Sequence, residues 1–334
     1  MSQSAYMPTK AVITGIGHAV PAKVLTNLDL SKMVDTNDEW ITQRTGIKER
    51  RLCEANETSS TLGIEAAKNA LAKANLPADK LDLIVCGTVT GDMLFPSTSC
   101  LIQTGIGASN AGAYDVGAAC AGFIYSVANA AAMIESGIAK KVLVIGVDTL
   151  TKFVDWNDRS TCVLFGDGAG AVVLEGQENT DRGVLRTVMF SDGAGAPHIT
   201  LEVGGSQYPS GSPQAEGKSL SIFMAGAEVY RFAVNAMGEA CCKVLDEVGM
   251  SPDDVDLFVP HQANLRIIDS AAKRLNLPPE KVFVNVHKYG NTSGGSIPIA
   301  LSEAVSEGRL KPGMTVLTVG FGAGLVWGAN IIKW

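Results

Sequence analysis

No CxxC pair occurs among the seven cysteines, which stand at 53, 86, 100, 120, 162, 241 and 242. An odd number without paired spacing excludes a zinc ribbon and a disulfide framework, and it fits a reducing, cytoplasmic setting. Long apolar runs are missing too. None reaches the roughly 20 residues that would span a bilayer, and stretches such as VLVIG are short and read as buried strands. The opening MSQSAYMPTK has no apolar segment behind its charge, so it does not read as a signal peptide. Basic charge is in deficit: 27 Lys and Arg against 34 Asp and Glu give a net charge of −7. That balance argues against general nucleic-acid binding. The polar bias of disordered chains is absent as well, with 46% hydrophobic and 18% charged residues among 334, enough for a large core.

What is present is a repeat. Residues 67–85, AKNALAKANLPADKLDLIV, and 241–259, CCKVLDEVGMSPDDVDLFV, share a helix, a turn and then an Asp inside an apolar strand. Asp82 and Asp256 stand 174 positions apart (256 − 82). Downstream, AYDVGAACAGFIYSVANAAAMIESGIAKKVLVIGVD reads as strand, small-residue turn, helix, strand. VFVNVHKYGNTSGGSIPIALSEAVSEGRLKPGMTVLTVG repeats that order. The chain therefore reads as two α/β halves, 1–175 and 176–334, with strands apolar throughout because helices cover both sheet faces. The stretch 196–221, rich in Gly, Pro, Ser and Gln, reads as a surface loop, and FGDGAGAVVL (165–174) as a structural turn between the halves.

Three polar residues fall at strand ends or strand-to-helix turns, where ligands collect in α/β folds. Cys120 lies in DVGAACAGF. A helix N-terminus would favour its thiolate and lower its pKa, although a lone thiol among alanines also suits packing. His261 follows an apolar strand in LFVPHQANLR, together with Asn264; a histidine there also suits a helix cap. Asn291, in HKYGNTSGGS, lies within three residues of the repeat partner of Cys120, with His287 as a rival further back. GFGAGLVWGA (320–329) is a tight turn able to offer a backbone N–H to an oxyanion.

Together GAACAGF, VPHQANLRI, YGNTS, NDEWITQRTGIKER and FGAGLVWGA resemble the β-ketoacyl-acyl-carrier-protein synthase III family of the thiolase superfamily, over nearly the whole chain. The resemblance implies a duplicated five-layer α-β-α-β-α fold, usually a homodimer. It also implies an acyltransferase that condenses an acyl-CoA starter, acetyl-CoA foremost, with malonyl-acyl carrier protein and so opens fatty acid synthesis. Cys120, His261 and Asn291 would be catalytic, with the Cys120 and Ala323 backbone N–H groups as oxyanion hole. Trp40, Arg44, Arg159 and Asn264 would bind CoA. Phe321 would floor the acyl pocket, and Phe95 would reach into it from the partner subunit. Arg231, Arg266, Lys273 and Arg274 would meet the acidic carrier protein. No metal and no cofactor is implied, acyl-CoA being a substrate, nor any nucleic-acid or membrane partner. The chain departs from the family pattern at Ala323, where glycine is expected, at Ala227, where Asn is frequent, and at Gly294 and Gly295, where TSAAS is usual. Two glycines there would loosen the turn that holds Asn291. Related Cys–His–Asn enzymes that prime polyketide synthesis are the alternative, followed by a non-catalytic superfamily member.

Overall fold

The computed structural model describes residues 9–334. In chain order the first half supplies β1 (Lys10–Ala19), α1 (Asp38–Thr45), α2 (Ser59–Ala74), β2 (Leu83–Gly87), α3 (Thr98–Ile106), β3 (Gly112–Val116), α4 (Gly122–Glu135), β4 (Lys141–Thr149) and β5 (Asp167–Gln177). The second supplies β6 (Gly183–Ser191), α5 (Gly226–Val248), β7 (Leu257–Pro260), α6 (Leu265–Arg274), α7 (Ser296–Ser306), β8 (Thr315–Gly322) and β9 (Val326–Lys333). One sheet runs β1-β5-β4-β2-β3 and the other β6-β9-β8-β7, so the order is the same apart from one missing edge strand. In both, the inner pairs β2–β4 and β7–β8 are parallel, and the pairs β4–β5 and β8–β9 are antiparallel.

Side-chain alternation explains the layers. On β4, Val142 and Val144 point to one core with Phe123 and Val127 of α4 and Ile297 and Leu301 of α7. Leu143, Ile145 and Val147 point to a second core under α2 and α3. On β8, Val316 faces the shared middle layer, while Leu317 and Val319 pack beneath α5 and α6. The result is helices, sheet, central helices α4 and α7, sheet, helices: the five-layer thiolase-like arrangement. A strand buried on both faces has no polar side, which is why the sequence shows no alternation there.

The repeat persists in fine detail. α2 ends on Asn75 and α5 on Gly249, both left-handed at φ 51° and 69°. The Asp82 carboxylate accepts the Lys140 and Lys141 N–H groups, and the Asp256 carboxylate accepts that of Thr315. Each carboxylate thus caps the start of the neighbouring parallel strand.

Two expectations are corrected. Residues 282–285 do not form a strand: only a bridge joins Val282 to Phe258, and Val286–Tyr289 is a helical turn that contains His287. The Gln262 side chain takes the place of the ladder. Its Oε1 accepts the Asn285 and Val286 N–H groups (2.9 and 3.1 Å), and its Nε2 donates to the Phe283 carbonyl (3.2 Å). Nor is FGDGAGAVVL a turn. Asp167–Leu174 lies inside β5, where its small residues let α7 approach the sheet.

Candidate active site

The two turns that open α4 and α7 share the same backbone feature. Ala119 and Ser293, 174 positions apart (293 − 119), are left-handed at φ 44° and 50°. Each starts a 3-10 turn, Ala119–Ala121 before α4 and Ser293–Gly295 before α7. Such a conformation costs a residue with a Cβ about 1 kcal/mol or more, so it persists only where the surroundings impose it. Here they do. A methyl added at Gly322 of β8 would stand 2.5 Å from the Cys120 nitrogen, so only glycine lets that strand lie against the turn. A methyl at Gly295 would stand 2.4 Å from the Gly168 carbonyl oxygen. Gly295 therefore seats the turn closely on β5, and Gly294 lies against the Gly87 carbonyl of β2 and Asp148 of β4.

Asp148, buried at the end of β4, ties these parts together. One carboxylate oxygen accepts the Val89 and Thr90 N–H groups (2.9 and 3.2 Å) and the Thr88 and Thr90 hydroxyls (3.1 and 2.8 Å). The other accepts the Gly294 N–H at 3.0 Å. Burial raises its pKa against these donors.

Cys120, His261, Asn291, Phe321 and Ala323 line one cavity of about 610 Å³. The electrostatics of Cys120 correct the expectation of a depressed pKa. Burial pushes the thiol up to about 12, with Asp148 adding to the rise, while the Ser293 hydroxyl and the backbone N–H of Cys120 pull the other way. The cysteine keeps some contact with solvent through the cavity, so the rise reflects enclosure by protein and not complete isolation. Desolvation outweighs these two hydrogen bonds here.

His261 is 1% exposed, and burial lowers its pKa to about 3, so the ring is neutral. Its Nδ1 lies 2.6 Å from Ser296 Oγ, and its Nε2 has no partner among the described residues. Phe321 packs edge-on against it, ring centres 5.5 Å apart. Asn291 is held by its backbone to Leu164 and Gly166 (2.8 and 3.0 Å). Its side-chain oxygen accepts the Ser293 N–H at 2.8 Å, which leaves the amide NH2 as its free end. The cavity thus collects a thiol, a neutral imidazole with an open Nε2 and a primary amide with an open NH2.

Trp40, Arg44, Arg159 and Asn264 also line the cavity. The Arg44 and Arg159 guanidinium groups lie 4.7 and 5.5 Å from the Trp40 ring centre. Arg159 is bonded to the Asp35 carbonyl and carboxylate (2.8 and 3.2 Å). Both ends of the Asn264 amide are used: its oxygen caps α6 at the Arg266 N–H, and its nitrogen donates to the Arg44 carbonyl. Phe95 does not line this cavity; it is 83% exposed beside Leu94, also 83% exposed. Ala227 lies outside it, on the first turn of α5. Arg231 pairs with Glu228 at 3.1 Å, and Arg266 lies over Tyr230 at 5.2 Å. Neither Lys273 nor Arg274 has an ion-pair partner among the described residues; the Arg274 stem crosses Gly238.

Residues 114–193 match the family model for 3-oxoacyl-acyl-carrier-protein synthase III, and residues 245–334 match that of its C-terminal part. The β-ketoacyl-acyl-carrier-protein synthase III of Caldanaerobacter subterraneus subsp. tengcongensis is 50% identical over 97% of this chain and 98% of its own length. The chain belongs to the β-ketoacyl-acyl-carrier-protein synthase III family. The synthase III structure from Aquifex aeolicus superposes with a TM-score of 0.90 at 47% identity, over 97% of this chain and 100% of that one. The priming β-ketosynthase of the R1128 polyketide pathway gives a TM-score of 0.90 at 34% identity, over 99% and 98%. As a family member the chain is an acyltransferase. Sequence reading missed Asp148 and Ser296. Asp148 shows only as a polar residue ending the apolar run VLVIGVD. Ser296 is one of two serines in TSGGS, and spacing alone does not choose between them.

Proposed function

We propose that the chain condenses an acyl-CoA starter with malonyl-acyl carrier protein to give 3-oxoacyl-acyl carrier protein, CO2 and coenzyme A, the step that initiates fatty acid synthesis. The Cys120 sulfur attacks the thioester carbonyl, and coenzyme A leaves as its thiol with the proton that Cys120 gives up. The Cys120 and Ala323 N–H groups serve the oxyanion. Malonyl-carrier protein then loses CO2. The enolate oxygen lies between His261 Nε2 and the Asn291 amide, and the enolate carbon attacks the acyl-cysteine. Neutral donors suit this step, because a cationic ring would risk protonating the carbanion. Acyl transfer and decarboxylation balance without a metal or redox group.

The observation that carries this reading is that the neutral His261 ring, whose Nε2 has no partner among the described residues, and the open Asn291 amide NH2 line one cavity with Cys120. Trp40, Arg44 and Arg159 supply flat and cationic groups for the adenine and phosphates of CoA. Lys273 and Arg274, with Arg266 and Arg231, form the face for an acidic carrier protein. Seven unpaired thiols fit a reducing cytoplasm. The test is incubation with acetyl-CoA and mass analysis of the cysteine peptides, followed by condensation across a panel of acyl-CoA starters. An acyl group on Cys120 alone and a 3-oxoacyl product are expected. Acylation elsewhere, or no condensation with any starter, sinks the reading.

A further inference from the structure

We propose that Ser296 is the positioning residue that fixes which nitrogen of His261 carries the proton, holding the ring as the Nε2–H tautomer. Ser296 opens α7, and its Oγ stands 2.6 Å from His261 Nδ1, with both residues 1% exposed. The same oxygen lies 3.4 Å from the Gln262 backbone nitrogen, a group that can only donate. The Gln262 side chain, bonded to Pro260, Phe283, Asn285 and Val286, fixes that nitrogen in place. No other partner for the Ser296 hydroxyl occurs among the described residues.

Two arrangements are open. With the proton on Nδ1, the serine oxygen accepts twice, its own hydrogen finds no acceptor, and Nε2 turns a bare lone pair outward. A buried donor without an acceptor is disfavoured. With the proton on Nε2, Gln262 N–H donates to Oγ and the Ser296 hydroxyl donates to Nδ1, so each proton is placed. Only Nε2–H is left, on an atom that has no partner among the described residues. The hydrogen bond at one ring nitrogen selects the state of the other. Burial keeps the ring neutral, so these two tautomers are the states to choose between.

This rests on reading His261 as a donor to the enolate, and the experiment separates the two ideas. Protein labelled with 15N-histidine carries four imidazoles; the His261 signals are those absent from His261→Gln. Wild type should show one tautomer, protonated at Nε2. In Ser296→Ala the Nδ1–H tautomer should appear and decarboxylation of malonyl-carrier protein should fall about tenfold, as when the group orienting a histidine is removed. Ser296→Thr keeps the hydroxyl and should preserve both properties; the thermal midpoint checks each fold. A wild-type proton on Nδ1, a measurement that needs no variant of Ser296, overturns the inference, as does an unchanged tautomer in folded Ser296→Ala. A tautomer that shifts while decarboxylation holds supports the role of Ser296 and removes His261 from the decarboxylation.

Discussion

At the scale of single residues, burial decides the chemistry of both Cys120 and His261. A thiol pushed up to about 12 should react slowly with iodoacetamide at neutral pH. Its alkylation should accelerate about tenfold per pH unit, with no plateau before pH ~9. A plateau near pH 7, read on the Cys120 peptide, would mean the helix N-terminus wins after all. Cys120→Ser should lose acyl transfer and keep part of the decarboxylation, since His261 and Asn291 are untouched. The folded pKa of His261, about 3, lies below the usual 6.5. Below pH 6.5 the unfolded chain takes up a proton that the folded ring refuses, so stability falls as pH falls from 6.5 toward 3. The slope from this group reaches at most about 1.4 kcal/mol per pH unit. His18 and His287, also lowered by burial, add in the same direction. Urea midpoints at pH 7, 6 and 5 should therefore decline, and less steeply in His261→Gln.

At the scale of elements, the site is a junction of two turns pressed on two sheets. Asp148 links β4, residues 88–90 and the turn before α7 through five accepted hydrogen bonds. Asp148→Asn turns one acceptor into a donor facing other donors. It should cost about 2–3 kcal/mol in chemical denaturation, and it should lower decarboxylation by disturbing the turn that carries Asn291. Unchanged stability and activity would show that the junction tolerates a neutral amide. The α5–α6 face makes a second prediction. Lys273 and Arg274 lack ion-pair partners among the described residues, whereas Arg231 is already paired with Glu228. Lys273→Glu with Arg274→Glu should raise KM for malonyl-carrier protein several-fold, more at low salt, whereas Arg231→Glu should do less. Equal damage to acylation by acetyl-CoA would point to a disturbed fold instead.

At the scale of the whole molecule, Met93, Leu94 and Phe95 form an apolar tip, 52%, 83% and 83% exposed. Such a patch marks a protein interface, and a homodimer would cover it. Leu94→Asp should shift the sedimentation of the protein toward monomer. If Phe95 reaches the partner's acyl pocket, Phe95→Thr should move starter preference from acetyl toward longer chains, each accommodated CH2 contributing about 0.8 kcal/mol. A monomeric wild type, or an unchanged starter profile, would remove Phe95 from the pocket.

The sequence by itself determined the repeat, the turns that open α4 and α7, and the choice of Cys120, His261 and Asn291, which the fold brings to one cavity. These depend on local pattern: small residues where a turn needs them, apolar runs where both faces are covered, an Asp before each central strand. The chain also carried the basic residues of α5 and α6, and the Arg231–Glu228 pair follows from their i, i+3 spacing on one helix. Only the tertiary structure decided that residues 282–285 leave the sheet, since Gln262, some 20 positions away, takes their hydrogen bonds. It also decided the sign of the Cys120 shift. Helix position is local, but desolvation is the sum of everything packed around the sulfur, and that includes β8 and the turn at Ser293 from the other half of the chain. The proton on His261 belongs to the same class, because Ser296, which lies against its ring, opens a separate helix 35 positions along the chain and reaches it only once α7 has packed beside the end of β7.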